Sequence, residues 1–344
     1  TRFGNRKPPA SAYAGYNPVL AWHGGMGGMV PGFVGGLFWD GRATGWTLGD
    51  PLAEQAMGPF LNPLEMNNPN ERLVCNKVQG SEYAGLFIGV WGNGSLNCAK
   101  DPKGVYRRIA ESIAAYERST EVNPFSSKFD RFWDAAKSVR PPVTMINMMN
   151  KNRFRNLGLD DMELMGLAVF NSKGNCSRCH LLQPMHGSPY PLFTDFRYHN
   201  LGIPKNPQNP FYDMPRKWNP DGDAWVDPGL AGFLAKVPQY ADKAEESLGK
   251  HRTPSLRNVD KRPEEGFVKA YAHNGYFKSL MHIIHFYNVR DVDQDCSIST
   301  SMGMPCVDPP EVPQNVNTQD LGNLQLTQQE GMALLRFLKT LSDE

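Results

Sequence analysis

The chain has 344 residues and a formal net charge of +1, enough length for two ordinary domains and no charge excess that would draw a polyanion. It has no basic run or reader motif for nucleic acid, and no apolar stretch near the roughly 18 residues of a membrane helix. With 33 glycines and 28 prolines beside abundant aromatics, it reads as a loop-rich, mainly helical fold wrapped around a ligand. In chain order, no leader-like run precedes Thr1, so the sequence is read as beginning after processing or within a domain. A Gly-rich segment follows from Trp22 to Gly36, with His23, Met26 and Met29, read as a flexible loop in preference to a copper site. Cys75 and Cys98 form one local cysteine pair and Cys296 and Cys306 another, which suits disulfides made in an oxidising compartment. Asp160 to Phe170 reads as a helix with Asp160 as N-cap and Glu163 three residues on. Ser279 to Asn288 reads as another. A last helix starts at the Thr327/Glu330 capping box and carries Met332, Leu335 and Leu338 at helical spacing.

The motif with chemical content is Cys176-Ser177-Arg178-Cys179-His180, the C-x-x-C-H signature of covalent haem c. Two thiols add to the haem vinyl groups, and the adjacent histidine binds the iron. A redox dithiol needs no histidine there. A zinc site needs a second ligand pair at finger spacing, and none follows. The second iron ligand stays open at this level. His186, His199, His251, His273, His282, His285, Met281, Met302, Met304 and Tyr287 are all candidates by residue type.

A set of segments around this motif resembles the bacterial dihaem cytochrome c peroxidase and MauG family. They are Phe38-Trp39-Asp40-Gly41-Arg42-Ala43, Glu54-Gln55-Ala56, Asn62-Pro63-Leu64-Glu65-Met66, Phe193-Thr194-Asp195, His199-Asn200-Leu201-Gly202, Arg252-Thr253-Pro254-Ser255-Leu256-Arg257-Asn258 and Tyr271-Ala272-His273-Asn274-Gly275. Each is weak alone; in this order they span nearly the whole chain. The resemblance implies two cytochrome c-like domains, here 1–155 and 156–344, each with a covalent haem c, and a calcium ion between them. His180 then belongs to the second, electron-transfer haem. The family's first C-x-x-C-H stands upstream of the segment that Phe3-Gly4-Asn5-Arg6-Lys7-Pro8 resembles, and this sequence contains one C-x-x-C-H. Either the first attachment site lies upstream of Thr1 or that haem has been lost; retention of the peroxide-site residues favours the former.

Those residues are Gln55 and Glu65, ten apart like the family's distal pair. Cleaving the O–O bond needs a group that takes a proton and returns it to the leaving oxygen. The resemblance gives Glu65 that role and Gln55 the positioning of bound peroxide. Trp39 matches the tryptophan between the haems. The stretch between Trp39 and Gln55 is longer than in short members, adding Gly45 to Asp50, which loosens the geometric transfer. Fourteen residues after His273 stands Tyr287, where peroxidases of the methionine type have their ligand and MauG-like members a tyrosine. His180/Tyr287 ligation is therefore expected, with Met281 as the fallback. A phenolate lowers the reduction potential relative to methionine. Asn5 matches the calcium-binding asparagine, and the backbone carbonyls of Val268 and Ala270 the other ligands, in keeping with the oxygen preference of Ca²⁺. Lys261 to Lys269 looks inserted, which shifts those carbonyls' register. His199, Asn200 and Arg252 are read as structural.

The resulting expectation is a peroxidase using hydrogen peroxide in the periplasm or another extracytoplasmic space, with electrons from a small redox protein or from a protein side chain. Tyr287 favours the second source. Gly174 occupies the position of a MauG-type relay tryptophan, so that relay is absent. The family also allows a homodimer. The reading from another class is a single-haem electron carrier or haem sensor, in which Gln55 and Glu65 are relics.

Overall fold

Three helices begin at capping boxes, where an N-cap oxygen takes the N3 amide and the N3 carboxylate takes the N-cap amide. The computed structural model, which describes residues 1–25 and 30–344, shows this at Ser127/Asp130, Asp160/Glu163 and Thr327/Glu330. These start α5 (Lys128–Ala136), α6 (Asp161–Asn171) and α10 (Gln328–Lys339). Before them come α1 (Pro51–Leu61), α2 (Glu71–Gln79), α3 (Ala84–Trp91) and α4 (Pro102–Glu117). Between α6 and α10 lie α7 (Leu230–Leu234), α8 (Leu280–Val289) and α9 (Ser297–Ser301). The expected mainly helical class and all three expected helices are present, with Ser279 as the N-cap of α8. Extended pairing is slight: β1 (Ala21–His23) with β2 (Gly32–Val34), and β3 (Tyr198–His199) with β4 (His251–Arg252), both antiparallel.

The largest core gathers Phe129 and Phe132 of α5, Phe154 from the 3-10 turn before α6, Leu167 and Phe170 of α6, Phe286 of α8 and Phe337 of α10. Its axis is the crossing of α6 and α10. A Cβ on Gly166 would come within 2.0 Å of the Ala333 carbonyl oxygen, so glycine is what lets the two backbones approach. Beneath this core, Asp130 and Arg257 form a two-pronged ion pair at 2.7 and 2.9 Å, both side chains almost wholly buried. A smaller core joins α2 and α4 around Val74, Val105 and Ile109, fastened by the Cys75–Cys98 disulfide. The Cys296–Cys306 disulfide closes a loop after α8. Both expected pairings are therefore present.

The segment expected as a plain loop from Trp22 to Gly36 is instead partly a hairpin. Trp22 pairs with Phe33 in register, their rings edge to face at 5.0 Å, and Phe33 packs on Tyr240. Aromatic burial stabilises what the glycine content alone reads as irregular. Met26 and Met29 fall outside the described residues.

Candidate haem site

α6 ends at Asn171, and a single 3-10 turn over Cys176–Arg178 presents both thiols and His180. Asn175 adopts a left-handed conformation just before it, and the His180 amide donates to the Cys176 carbonyl at 2.9 Å. Cys176 and Cys179 are unpaired thiols. Burial pushes the Cys176 thiol up to about 12. His180 Nδ1 donates to the Phe193 carbonyl at 2.7 Å. That bond fixes the tautomer: the proton sits on Nδ1, and the Nε2 lone pair is left for a metal. Burial also lowers the pKa of His180, keeping the imidazole neutral, as a ligand must be. Phe193 itself sits at φ +54°, a conformation uncommon for a bulky residue, and is held by the rings of Phe129 and Phe170.

Cys176, Cys179 and His180 line one cavity with Phe170, Phe277, Ile283, Ile284 and Tyr287. The free space inside it is about 270 Å³, at the lower edge of the roughly 300–1,000 Å³ of ordinary ligand pockets. Two thiols, a neutral imidazole with a free Nε2, and a mostly apolar cavity fit a covalently bound haem. Of the candidates for second ligand, His199, His251, His273 and Tyr287 line this cavity; Met281, His282 and His285 of α8 do not. His199 is engaged by Asp195 at 2.9 Å, and His251 and His273 stack on each other. Tyr287 has no hydrogen-bond partner for its hydroxyl among the described residues, and burial pushes the phenol upward. His285 is taken by Ser299 at 2.7 Å.

Trp39 lines the same cavity, its indole N–H donating to the Lys7 carbonyl at 2.7 Å and its ring 6.4 Å from that of His273. Gln55 is half-buried on α1, and Glu65 is exposed in the turn after it, accepting from Asn62 at 2.9 Å. Neither lines the cavity, so the pair expected at the peroxide site stands apart from the haem c motif. Asn5 offers its carbonyl to Asn209 and keeps its side-chain amide without a partner among the described residues. Ala270 is half-buried and Val268 is 66% exposed; the chain at Lys7 bonds to the His273 carbonyl just beyond them.

The chain is 32% identical to the methylamine utilization protein MauG of Paracoccus denitrificans, over 99% of this chain and 75% of that protein. It belongs to the dihaem cytochrome c peroxidase and MauG family. The model of that family, di-haem cytochrome c peroxidase, matches residues 1–138. The crystal structure of the diheme peroxidase BthA from Burkholderia thailandensis superposes with a TM-score of 0.72 at 29% identity, covering 99% of this chain and 73% of that one. The cytochrome c551 peroxidase of Nitrosomonas europaea is 31% identical over 61% of this chain and 51% of its own length. As a member of this family the chain is an oxidoreductase of the haem c peroxidase type, reacting with peroxide at the expense of an electron donor.

The sequence places Phe193 and Asp195 in a family-like segment but does not show that the Phe193 carbonyl meets His180 or that Asp195 meets His199. The acids Asp227 and Glu311 in the cavity wall carry no motif of their own. A buried carboxylate is recognisable only by the partner it meets in the fold.

Proposed function

We propose that this chain is a MauG-like peroxidase whose haem at Cys176 and Cys179 stores electrons, ligated by His180 and Tyr287, while Gln55 and Glu65 serve a haem where hydrogen peroxide reacts. The observation that carries this reading is the fixed tautomer of His180, with its free Nε2 in the cavity that Tyr287 also lines. A haem held there supplies one-electron redox chemistry. His180 orients it through the Phe193 carbonyl. With a haem bound there, Tyr287 as phenolate, its proton released to water, would favour the oxidised metal and lower its potential. Trp39 lies in the wall of the cavity and relays electrons between the two centres. Glu65 takes a proton from peroxide and returns it to the leaving oxygen, and Gln55 positions the oxidant.

Residues 1–155 then form the peroxide domain and 156–344 the electron-transfer domain, with α5 of the first lending Phe129 and Phe132 to the core of the second. Calcium is held by Asn5 and the carbonyls of Val268 and Ala270, oxygen ligands of the kind Ca²⁺ prefers. Two disulfides and covalent haem favour an extracytoplasmic protein. Electrons come from a small redox protein or from a protein side chain, and Tyr287 favours the latter.

The test is haem quantitation on the full-length protein, followed by peroxide titration with optical and EPR detection. Two haems per chain, and peroxide consumption that falls at least about 100-fold in Glu65→Gln, within the range of general acid–base catalysis, support the reading. One haem and no consumption establish the electron carrier instead.

A further inference from the structure

One group of titratable side chains in the cavity wall has no part in this scheme. Asp227 comes from the loop before α7, His251 from β4, His273 from the loop before α8, and Glu311 from the segment after the second disulfide. The two imidazole rings lie 3.6 Å apart and 11° from parallel. His251 Nδ1 is 3.1 Å from the Gly249 carbonyl, which can only accept, so that nitrogen carries a hydrogen. Its Nε2 faces Asp227 Oδ2 at 3.3 Å. A neutral His251 would then set a lone pair against a carboxylate in a buried site. His273 Nε2 stands 3.8 Å from Asp227 Oδ2 and 3.9 Å from Glu311 Oε2; among the described residues neither imidazole Nε2 makes a well-aligned hydrogen bond, His251 Nε2 having Asp227 as its near carboxylate.

The charges around them do not balance. Arg6 grips both oxygens of Asp227 at 2.6 and 2.7 Å and reaches Asp40 at 2.5 Å; Arg42 completes Asp40 at 2.9 Å. Tyr212 donates to Glu311. Three carboxylates thus face two guanidiniums, leaving the network one positive charge short. A metal ion is a poor candidate for the missing charge. An imidazole lone pair lies in its ring plane, and two planes stacked face to face share no in-plane point where one ion could sit. Arg6 already occupies the carboxylate such an ion would need.

We propose that His251 and His273 form a buried one-proton site, with the proton held on His251 Nε2, and that this proton is coupled to the redox state of the haem in the same cavity. Were a haem there to give up one electron, which peroxide ultimately accepts, the added positive charge would release the His251 proton to water at the cavity mouth, and reduction would draw it back. His273 remains neutral: burial first, then the neighbouring His251, lowers it to about 4. Asp227 remains charged: burial pushes it up, but His251 and Arg6 hold it well below the usual carboxylate range.

The inference rests on the haem placement proposed above, so its test measures both. Mass spectrometry of the holoprotein first establishes haem on the Cys176–His180 peptide; a bare peptide defeats the placement itself. With haem there, the midpoint potential of that haem is followed from about pH 5 to about pH 9, the range histidine spans. The wild-type potential is expected to fall with pH over part of this range. The slope approaches one proton per electron, a tenfold change in the reduction equilibrium per pH unit, or about 59 mV for a one-electron couple. In His251→Gln and in His273→Gln that slope is expected to flatten, with haem content and Soret spectrum retained. A flat wild-type profile overturns the proposal. So does an unchanged slope in both variants, or a stoichiometric transition metal other than haem iron that is lost in His251→Gln.

Discussion

The buried pair of Asp130 and Arg257 offers a quantitative test of how the haem cavity is held. Arg257 is 1% and Asp130 2% exposed. Arg257 donates twice to Asp130 and once, through Nε, to the Pro191 carbonyl at 2.8 Å, while Phe125 lies under its guanidinium at 4.6 Å. Asp130 also accepts from Ser127 Oγ at 2.7 Å as part of the α5 capping box. Removing one partner of such a pair strands the other charge out of water, which costs about 3–5 kcal/mol. Asp130→Asn should therefore destabilise the chain by about that amount, and Asp130→Ala by about 1 kcal/mol more through the lost cap. The double variant Asp130→Leu/Arg257→Met should lose less than either single variant, because replacing both charges removes the stranded one. Urea unfolding followed by tryptophan fluorescence and Soret absorbance measures all three. Phe129 on α5 packs against Phe193, whose carbonyl orients His180, so Asp130→Asn should also broaden the haem spectrum. An Asp130→Asn protein within about 1 kcal/mol of wild type, far below the cost of a buried unpaired charge, would refute the reasoning.

Other outcomes follow from the same geometry. Tyr287→Met should raise the potential of the second haem, since methionine ligation favours the reduced metal; an unchanged potential and EPR spectrum would remove Tyr287 from the iron. Gly166→Ala should destabilise the chain by about 1–3 kcal/mol or more in urea, the cost of overpacking, because its Cβ would meet the Ala333 carbonyl at 2.0 Å. Asp50 caps α1, the helix that carries Gln55, and pairs with Arg118 at 2.6 Å. Burial raises its pKa, but Arg118 and the Leu52 amide lower it below the normal 3.8. A carboxylate depressed in the folded state stabilises above its unfolded pKa and stops doing so as pH falls through the folded value. Asp50→Ala should thus cost about 1 kcal/mol at neutral pH, as a lost cap does; the difference should begin to shrink as pH falls below about 4, where the unfolded carboxylate protonates, and be gone only below the lower folded value. Replacing Cys75 and Cys98 by serine should cost about 3 kcal/mol, the loop-closure value for bridges of this span, read as a lower urea midpoint for the domain containing α2 and α4.

What the sequence made legible was local. The helix from Asp160 could be read because its cap, its N3 acid and its apolar face all lie within eleven residues, and the turn into Cys176 follows at once. The cysteine pairs could be read because each closes a short loop, with separations of 23 and 10. The family order of segments supplied Trp39 and Tyr287 as positions, and the fold brings both to one cavity wall. The hairpin at Trp22 was obscured because its glycines and methionines read as loop, while the stabilising contact, Phe33 on Tyr240, lies more than 200 residues away along the chain. The His251–His273 stack was obscured for the same reason. Each histidine seen alone is an ordinary polar residue, and Asp227 has no pattern around it. Their meaning depends on Arg6 arriving from the other end of the chain to claim the carboxylate. That arrival ties the polar wall to Trp39 as well. Lys7, the next residue, accepts the indole hydrogen of Trp39 and donates its own amide to the His273 carbonyl. One short N-terminal segment therefore touches both Trp39 and, through Asp227, the histidine pair behind it. A shift in either should be felt by the other, and a substitution at Arg6 should disturb the haem potential and the environment of Trp39 together.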